Sequence, residues 1–283
     1  MPTDDRLSVF NARDATRVKK LFAIFVFSLT IPGLVRYCLF NGGTAATAEK
    51  ISQISSYVLL VVFSIKCTEL SKTDLMKMMN FRIGPRLILL LGLGVSLFGF
   101  VLGENALEVW VISNFNEELG YSLWPFQQVE HVLNYSPSLY LFFISITIAP
   151  LAEEFFFRGL LFSALTQSRS WAGAALIDSV VFTCSHPMNL HFVGTMALSI
   201  VLCWLYYTFE SLWICIVVHG VFNFVAITVE NYGAPWLTRS LNQISLMSSW
   251  CEQFIFMGVS IFVIALVLFK INYKKERGEW VIF

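Results

Sequence analysis

The chain has 283 residues, 57% of them hydrophobic and 13% charged, with 27 Phe and 8 Trp; its mean hydropathy is +0.69. An average soluble domain is about a quarter charged, and here 19 Lys and Arg balance 19 Asp and Glu. Disorder, a collagen-like fibre, a nucleic-acid partner and an ordinary soluble enzyme are set aside, and a polytopic membrane protein remains.

A helix needs about 20 mostly apolar residues to cross the hydrocarbon core. In chain order the sequence predicts eight such spans: Leu21–Phe40, Ile51–Thr68, Arg86–Gly103, Ser138–Leu165, Trp171–His186, Phe192–Phe209, Leu212–Val229 and Gln253–Tyr273. Period-two alternation is absent, so the spans read as helices rather than barrel strands. The expectation is an all-α bundle of about eight transmembrane helices forming a single integral membrane domain over 1–283, with a motif-bearing core at about 138–229.

Arg6, Arg13, Arg17, Lys19 and Lys20 precede the first span. Lys72, Lys77, Arg82 and Arg86 follow the second, and Lys274, Lys275 and Arg277 the eighth. The connection from Glu104 to Pro137 has five Glu and no Lys or Arg. The positive-inside rule then places both termini in the cytosol, which an even number of spans allows. Ala46-Thr47-Ala48 resembles a signal-peptide cleavage site, but the apolar stretch before it is long and broken by Arg36, so an unprocessed N-terminus is expected. Trp171, Trp213, Trp236, Trp250 and Trp280 fall near span ends, as an aromatic belt requires. The six cysteines include no C-x-x-C pair and read as buried small hydrophobes. Glu104–Pro137 and Glu230–Glu252 read as connections on the soluble side.

The informative residues are the polar ones inside spans, since an ionised side chain at a helix centre costs about 2.5–3.5 kcal/mol on the insertion scale. The fourth span carries Glu153, Glu154 and Arg158, the fifth Asp178 and His186, the seventh His219 and Asn223. Glu154 and Arg158 are four apart, acid first, which suits an ion pair along one helix face. Glu153 lies about 100° round the helix and points elsewhere, toward a cavity in this reading. Pro150 can kink the span beside it. Phe182 and His186, like His219 and Asn223, are four apart on their own helices, and Pro187 predicts the helix end at His186. Asp178 reads as an interhelical polar contact or a cavity-lining residue.

A desolvated carboxylate beside an imidazole can deprotonate water, while a second imidazole and a carboxamide can donate to an oxyanion. The set Glu153, His186 and His219 could instead hold zinc, although no H-E-x-x-H is present. The alternative is a non-catalytic membrane protein, such as an immunity factor, scaffold or proton-coupled carrier, using the same polar cluster. No G-x-S-G serine site and no paired intramembrane aspartates are found.

The ordered motifs Glu153-Glu154-x-x-x-Arg158, Phe182-x-x-x-His186 and His219-x-x-x-Asn223 resemble those of the CAAX-protease and bacteriocin-processing family of intramembrane glutamate endopeptidases. The resemblance covers about a third of the chain. It implies an eight-helix membrane fold in which Glu153 activates water with help from His186. It further implies that His219 and Asn223 stabilise the oxyanion, that Glu154, Arg158 and Phe182 support the site, and that no cofactor is needed. The implied partners are the bilayer and a membrane-anchored protein or peptide substrate, and the implied location is the cell (inner) membrane of a prokaryote. The stretch His186-Pro187-Met188-Asn189-Leu190-His191 departs from the histidine-rich second motif of the eukaryotic prenyl-protein enzymes, which points to a prokaryotic-type endopeptidase.

Overall fold

The computed structural model describes residues 18–28, 30, 45–80, 87–123, 142–186, 192–232 and 243–276. The described residues are helical, with no strand among them. Four helices are long and apolar enough to cross a membrane, within Leu87–Ser113, Phe192–Phe209, Leu212–Val229 and Met247–Ile271; Ile54–Thr68 and Trp171–Cys184 are shorter apolar ones. The chain is an all-α polytopic membrane protein. It divides into two compact units, one of residues 1–81, 143–179 and 200–216, the other of residues 82–142, 180–199 and 217–283.

The first unit begins with α1 (residues 18–28), α2 (Ala45–Thr68) and α3 (Lys72–Met79). Of the first predicted span, residues 29 and 31–40 lie outside the described residues. Helix α3 opens on a capping box: Ser71 Oγ accepts the Asp74 N–H at 3.2 Å, and Asp74 Oδ2 accepts the Ser71 N–H at 3.1 Å. Hydrogen bonds from the Ser71 hydroxyl, then from its backbone N–H, hold the Asp74 carboxyl below the usual carboxylate range. Asn80 ends α3 in the left-handed region, at φ 32°. Its side chain donates to the Glu210 carbonyl at 3.1 Å, and the Ser211 hydroxyl donates back to its carbonyl at 2.7 Å.

Helix α6 covers residues 144–166 and is not uniform. Ile144–Ile148 and Phe155–Phe162 are π-helical, whereas Ala149–Glu154 and Ser163–Thr166 are α-helical. Proline offers no N–H and crowds the preceding turn, so Pro150 is accommodated by the widened turn just before it. π-Helical turns are uncommon and tend to occur at functional sites. α6 packs against α2, and Phe156 stacks on Phe25 of α1 at 5.5 Å between ring centroids. This unit also holds Trp171, where α7 (Trp171–Cys184) starts, and Tyr207 of α8 (Phe192–Phe209); their rings stack at 5.8 Å.

In the second unit, α4 (Leu87–Ser113) is the axis. It packs along α10 (Cys251–Glu276) and against α5 (Glu117–Leu123). Glycines permit the closest approaches: a Cβ on Gly103 would meet the Gln253 carbonyl at 2.7 Å, and one on Gly94 would meet the Val218 carbonyl at 2.9 Å. Val218 belongs to α9 (Leu212–Tyr232). Such small-residue contacts are how membrane helices gain packing where no aqueous driving force exists. The outward face of α10 stays apolar, with Ile255, Phe262 and Phe269 each more than three-fifths exposed, as lipid contact demands.

Three expectations are corrected. The third span does not end at Gly103; α4 runs ten residues further, and Glu104, Asn105, Ala106 and Val109 are buried. The reason is packing against the segment before α10, because Trp110 Nε1 donates to the Ser245 carbonyl at 3.1 Å and Ser113 Oγ to that of Ile244 at 3.1 Å. Parts of the two predicted connections thus form one clamp around Phe98, Leu102 and Trp250. Trp250 is accordingly not a belt residue: it is fully buried and donates to the Ile244 carbonyl at 2.8 Å. Finally, Cys203 and Cys215 are buried, but Cys67, Cys184 and Cys251 are exposed because they sit on outward helix faces. Trp236, Trp280 and Cys38 lie outside the described residues.

Candidate active site

In the first unit, Glu154 Oε1 receives Arg158 Nη1 at 3.0 Å, and both side chains are wholly buried. This is the ion pair expected from the spacing. Asp178 of α7 joins it: its Oδ2 lies 3.8 Å from Arg158 Nε and accepts the Cys203 S–H at 3.2 Å. The guanidinium also faces the Phe157 ring at 5.9 Å, and the Ser163 hydroxyl donates to the Arg158 carbonyl at 3.0 Å. Three charged side chains, all fully buried, therefore meet where α6, α7 and α8 converge within this unit. Glu153 precedes Glu154 on α6 yet remains partly accessible.

In the second unit, Phe182 organises the histidines. It is fully buried, and its ring centroid lies 4.6 Å from that of His186 and 5.9 Å from that of His219. Helix α7 stops at Cys184, and His186 occupies the following turn, its N–H bonded to the Thr183 carbonyl at 3.1 Å. His186 Nδ1 lies 2.9 Å from the Phe182 carbonyl. A carbonyl only accepts, so that bond requires Nδ1–H, and neutral His186 carries its lone pair on Nε2. His219 of α9 is buried, and Asn223 stands one turn further along the same helix, partly buried.

The structure thus brings together Glu154 and Arg158 in one unit, and Phe182, His186 and His219 in the other. Sequence reasoning left Asp178 and Cys203 out of the candidate set, although Asp178 precedes Phe182 by one turn and His186 by two. Within neither unit do three or more His, Cys, Asp or Glu side chains among the described residues gather as a metal-binding group. His131 and His191 lie outside the described residues.

A family profile described as Rce1-like, type II CAAX prenyl endopeptidase, matches residues 135–225. All three motifs fall inside that stretch. The likeness to that family is thus one of this segment, about a third of the chain. The chain is also similar to the Bacillus subtilis (strain 168) protein named "Putative membrane peptidase YdiL", with 32% identity over 94 residues, or 31% of this chain and 38% of that protein. The chain therefore aligns with less than half the length of that curated relative. No solved structure matches the chain.

Proposed function

We propose that the protein is an intramembrane endopeptidase of the glutamate type, cutting a peptide bond in a membrane-anchored protein or peptide. In this reading a water is held by Glu153 and by the Nε2 lone pair of His186. Glu153 takes its proton as the oxygen attacks the scissile carbonyl. His219 and the Asn223 amide donate to the oxyanion that forms. The proton held by Glu153 then passes to the leaving amine, so the bond breaks with water consumed and no covalent enzyme intermediate. The reaction needs no metal in this reading, and the setting is the cell membrane of a prokaryote.

The observation that carries the proposal is the arrangement at Phe182. One buried ring supports both imidazoles, and the hydrogen bond at His186 Nδ1 leaves Nε2 as the basic atom. The test uses purified protein in lipid nanodiscs and a quenched-fluorescent peptide library, with and without a farnesylated cysteine. Glu153→Gln should insert and fold like the wild type and lose cleavage by at least about a hundredfold, the lower end of general-base contributions. Cleavage should survive chelation. Undiminished cleavage by folded Glu153→Gln would falsify the reading, and stoichiometric zinc whose removal stops cleavage would replace it with a metal-dependent mechanism.

A further inference from the structure

We propose that Asp178 is a positioning residue that acts through Arg158 to fix the rotation of α6, and with it the direction of Glu153. This inference rests on the peptidase reading for its kinetic consequences, but its structural part stands by itself.

Arg158 is already balanced by Glu154 at 3.0 Å along the same helix. Asp178 brings a second carboxylate into the same dry volume, at zero exposure. Neutralising Arg158 does not require it, and burying a further ion is costly. What Asp178 adds is direction. A guanidinium is a rigid planar fork; Nη1 is used by Glu154 within α6, whereas Nε and Asp178 Oδ2 of α7 stand 3.8 Å apart, an ion-pair contact longer than a hydrogen bond. Asp178 is itself held, because the Cys203 S–H of α8 donates to that same Oδ2 at 3.2 Å. Its other oxygen, Oδ1, is buried with no hydrogen-bond partner, so the carboxylate is committed to the Arg158 and Cys203 side.

The need for a second anchor follows from α6 itself. From Phe155 to Phe162 the helix is π-helical, and this widened form is rarely adopted over more than one turn. An ion pair internal to α6 cannot set how that helix is rotated relative to α7 and α8. A contact from α7 can. Glu153 immediately precedes Glu154, so the azimuth fixed at Arg158 is the azimuth at which Glu153 is presented.

Two readouts test this in nanodiscs on Asp178→Asn, Asp178→Ala and Cys203→Ala. The first needs no activity: labelling by dicyclohexylcarbodiimide, a membrane-soluble carboxyl reagent, located by peptide mass spectrometry. In the wild type the label should favour Glu153 over the buried Glu154. In Asp178→Ala that preference should fall several-fold, while Asp178→Asn, which keeps an oxygen acceptor in place, should stay near wild type. The second readout is kinetic. Asp178→Ala should lower kcat about ten- to a hundredfold, as a displaced catalytic group does, leave KM within about threefold, and be partly rescued by Asn. Unchanged labelling preference in folded Asp178→Ala overturns the proposal. So does a chain that fails to fold even with Asn at 178, since the residue would then be structural only. If labelling shifts as described but wild type and Glu153→Gln cleave nothing, the peptidase reading fails and the positioning role stands.

Discussion

Replacing Arg158 by Ala should be among the most destabilising single changes in this protein, for a reason different from lost attraction. At 3.0 Å and 3.8 Å, unit charges at an effective dielectric near 20 attract by ~5.5 and ~4.4 kcal/mol. Against this stand three buried ions, each with a desolvation penalty of several kcal/mol. The intact cluster is therefore close to break-even. Arg158→Ala removes both attractions and leaves Glu154 and Asp178 buried together with no cation, and breaking a buried pair in this way costs about 3–5 kcal/mol. By contrast, Arg158→Met combined with Glu154→Gln and Asp178→Asn removes every charge while roughly keeping volume, and should lie within about 1–2 kcal/mol of wild type.

The assay is reversible unfolding in mixed micelles on titration with sodium dodecyl sulfate, followed by tryptophan fluorescence and helical circular dichroism. The expected order of stability is triple variant above Arg158→Ala, with Asp178→Asn between triple variant and wild type or level with them. An Arg158→Ala protein within about 1 kcal/mol of wild type would show that the two carboxylates are not stranded. A triple variant no more stable than the single one would show that packing by the guanidinium, including its contact with Phe157, outweighs charge.

Three further outcomes follow from other parts of the structure. Phe182→Ala should lose about 3–5 kcal/mol of stability in the same titration, the range for truncating a buried Phe, and should lower kcat more than Phe182→Leu because both imidazoles rest on that ring. Gly103→Ala should cost about 1–3 kcal/mol, since its Cβ would meet the Gln253 carbonyl at 2.7 Å and overpacking carries that penalty; Gly258→Ala, whose Cβ would meet nothing within 4 Å, should be neutral or stabilising by about 0.5–1 kcal/mol, and equal effects at the two positions would refute the packing argument. The folded Asp74 carboxyl lies below its unfolded value, so the cap it makes is fully present above the unfolded pKa and is lost as pH falls through the folded one. Hydrogen exchange over Lys72–Met79 should thus be flat from about pH 6 to 8, after correction for intrinsic rates, and lose protection only below about pH 4, a loss that Asp74→Asn should largely abolish.

Much of this architecture is legible in the sequence because bilayer thickness and helical period are stringent constraints. The span Phe192–Phe209 is found at its predicted bounds, and the i, i+4 spacing of Glu154 and Arg158 gave their ion pair without a structure. The extension of α4 was missed because hydropathy counts a charge as an exit from the membrane and does not see the neighbour that buries it. Glu104 is buried where Gly194 lets α8 approach it; a Cβ on that glycine would meet Glu104 Oε2 at 2.9 Å. A signal was nevertheless present. Leu102, Ala106, Val109 and Ser113 continue a helical stripe past Glu104, and all four are buried. Trp250 was misplaced for the converse reason: tryptophan marks interfaces on average, but a buried carbonyl that its indole can reach competes for it.

The site was legible as residue types and only partly as roles. A sum of insertion costs treats Glu153, Glu154, Arg158 and Asp178 as four equal anomalies. Folding separates them. Glu154, Arg158 and Asp178 converge at zero exposure, where Arg158 lowers the cost of burying both carboxylates, while Glu153 alone of the four keeps part of its surface accessible. That division could not come from spacing, because the contact that completes the cluster joins residues 20 positions apart on two helices. It also explains how two adjacent glutamates can differ in kind. Under the proposed peptidase reading the first is the one that meets water and substrate, while the second is engaged by Arg158 through Oε1 at 3.0 Å. Arg158 thus lies between two buried carboxylates, Glu154 and Asp178, beside a glutamate that keeps part of its surface accessible.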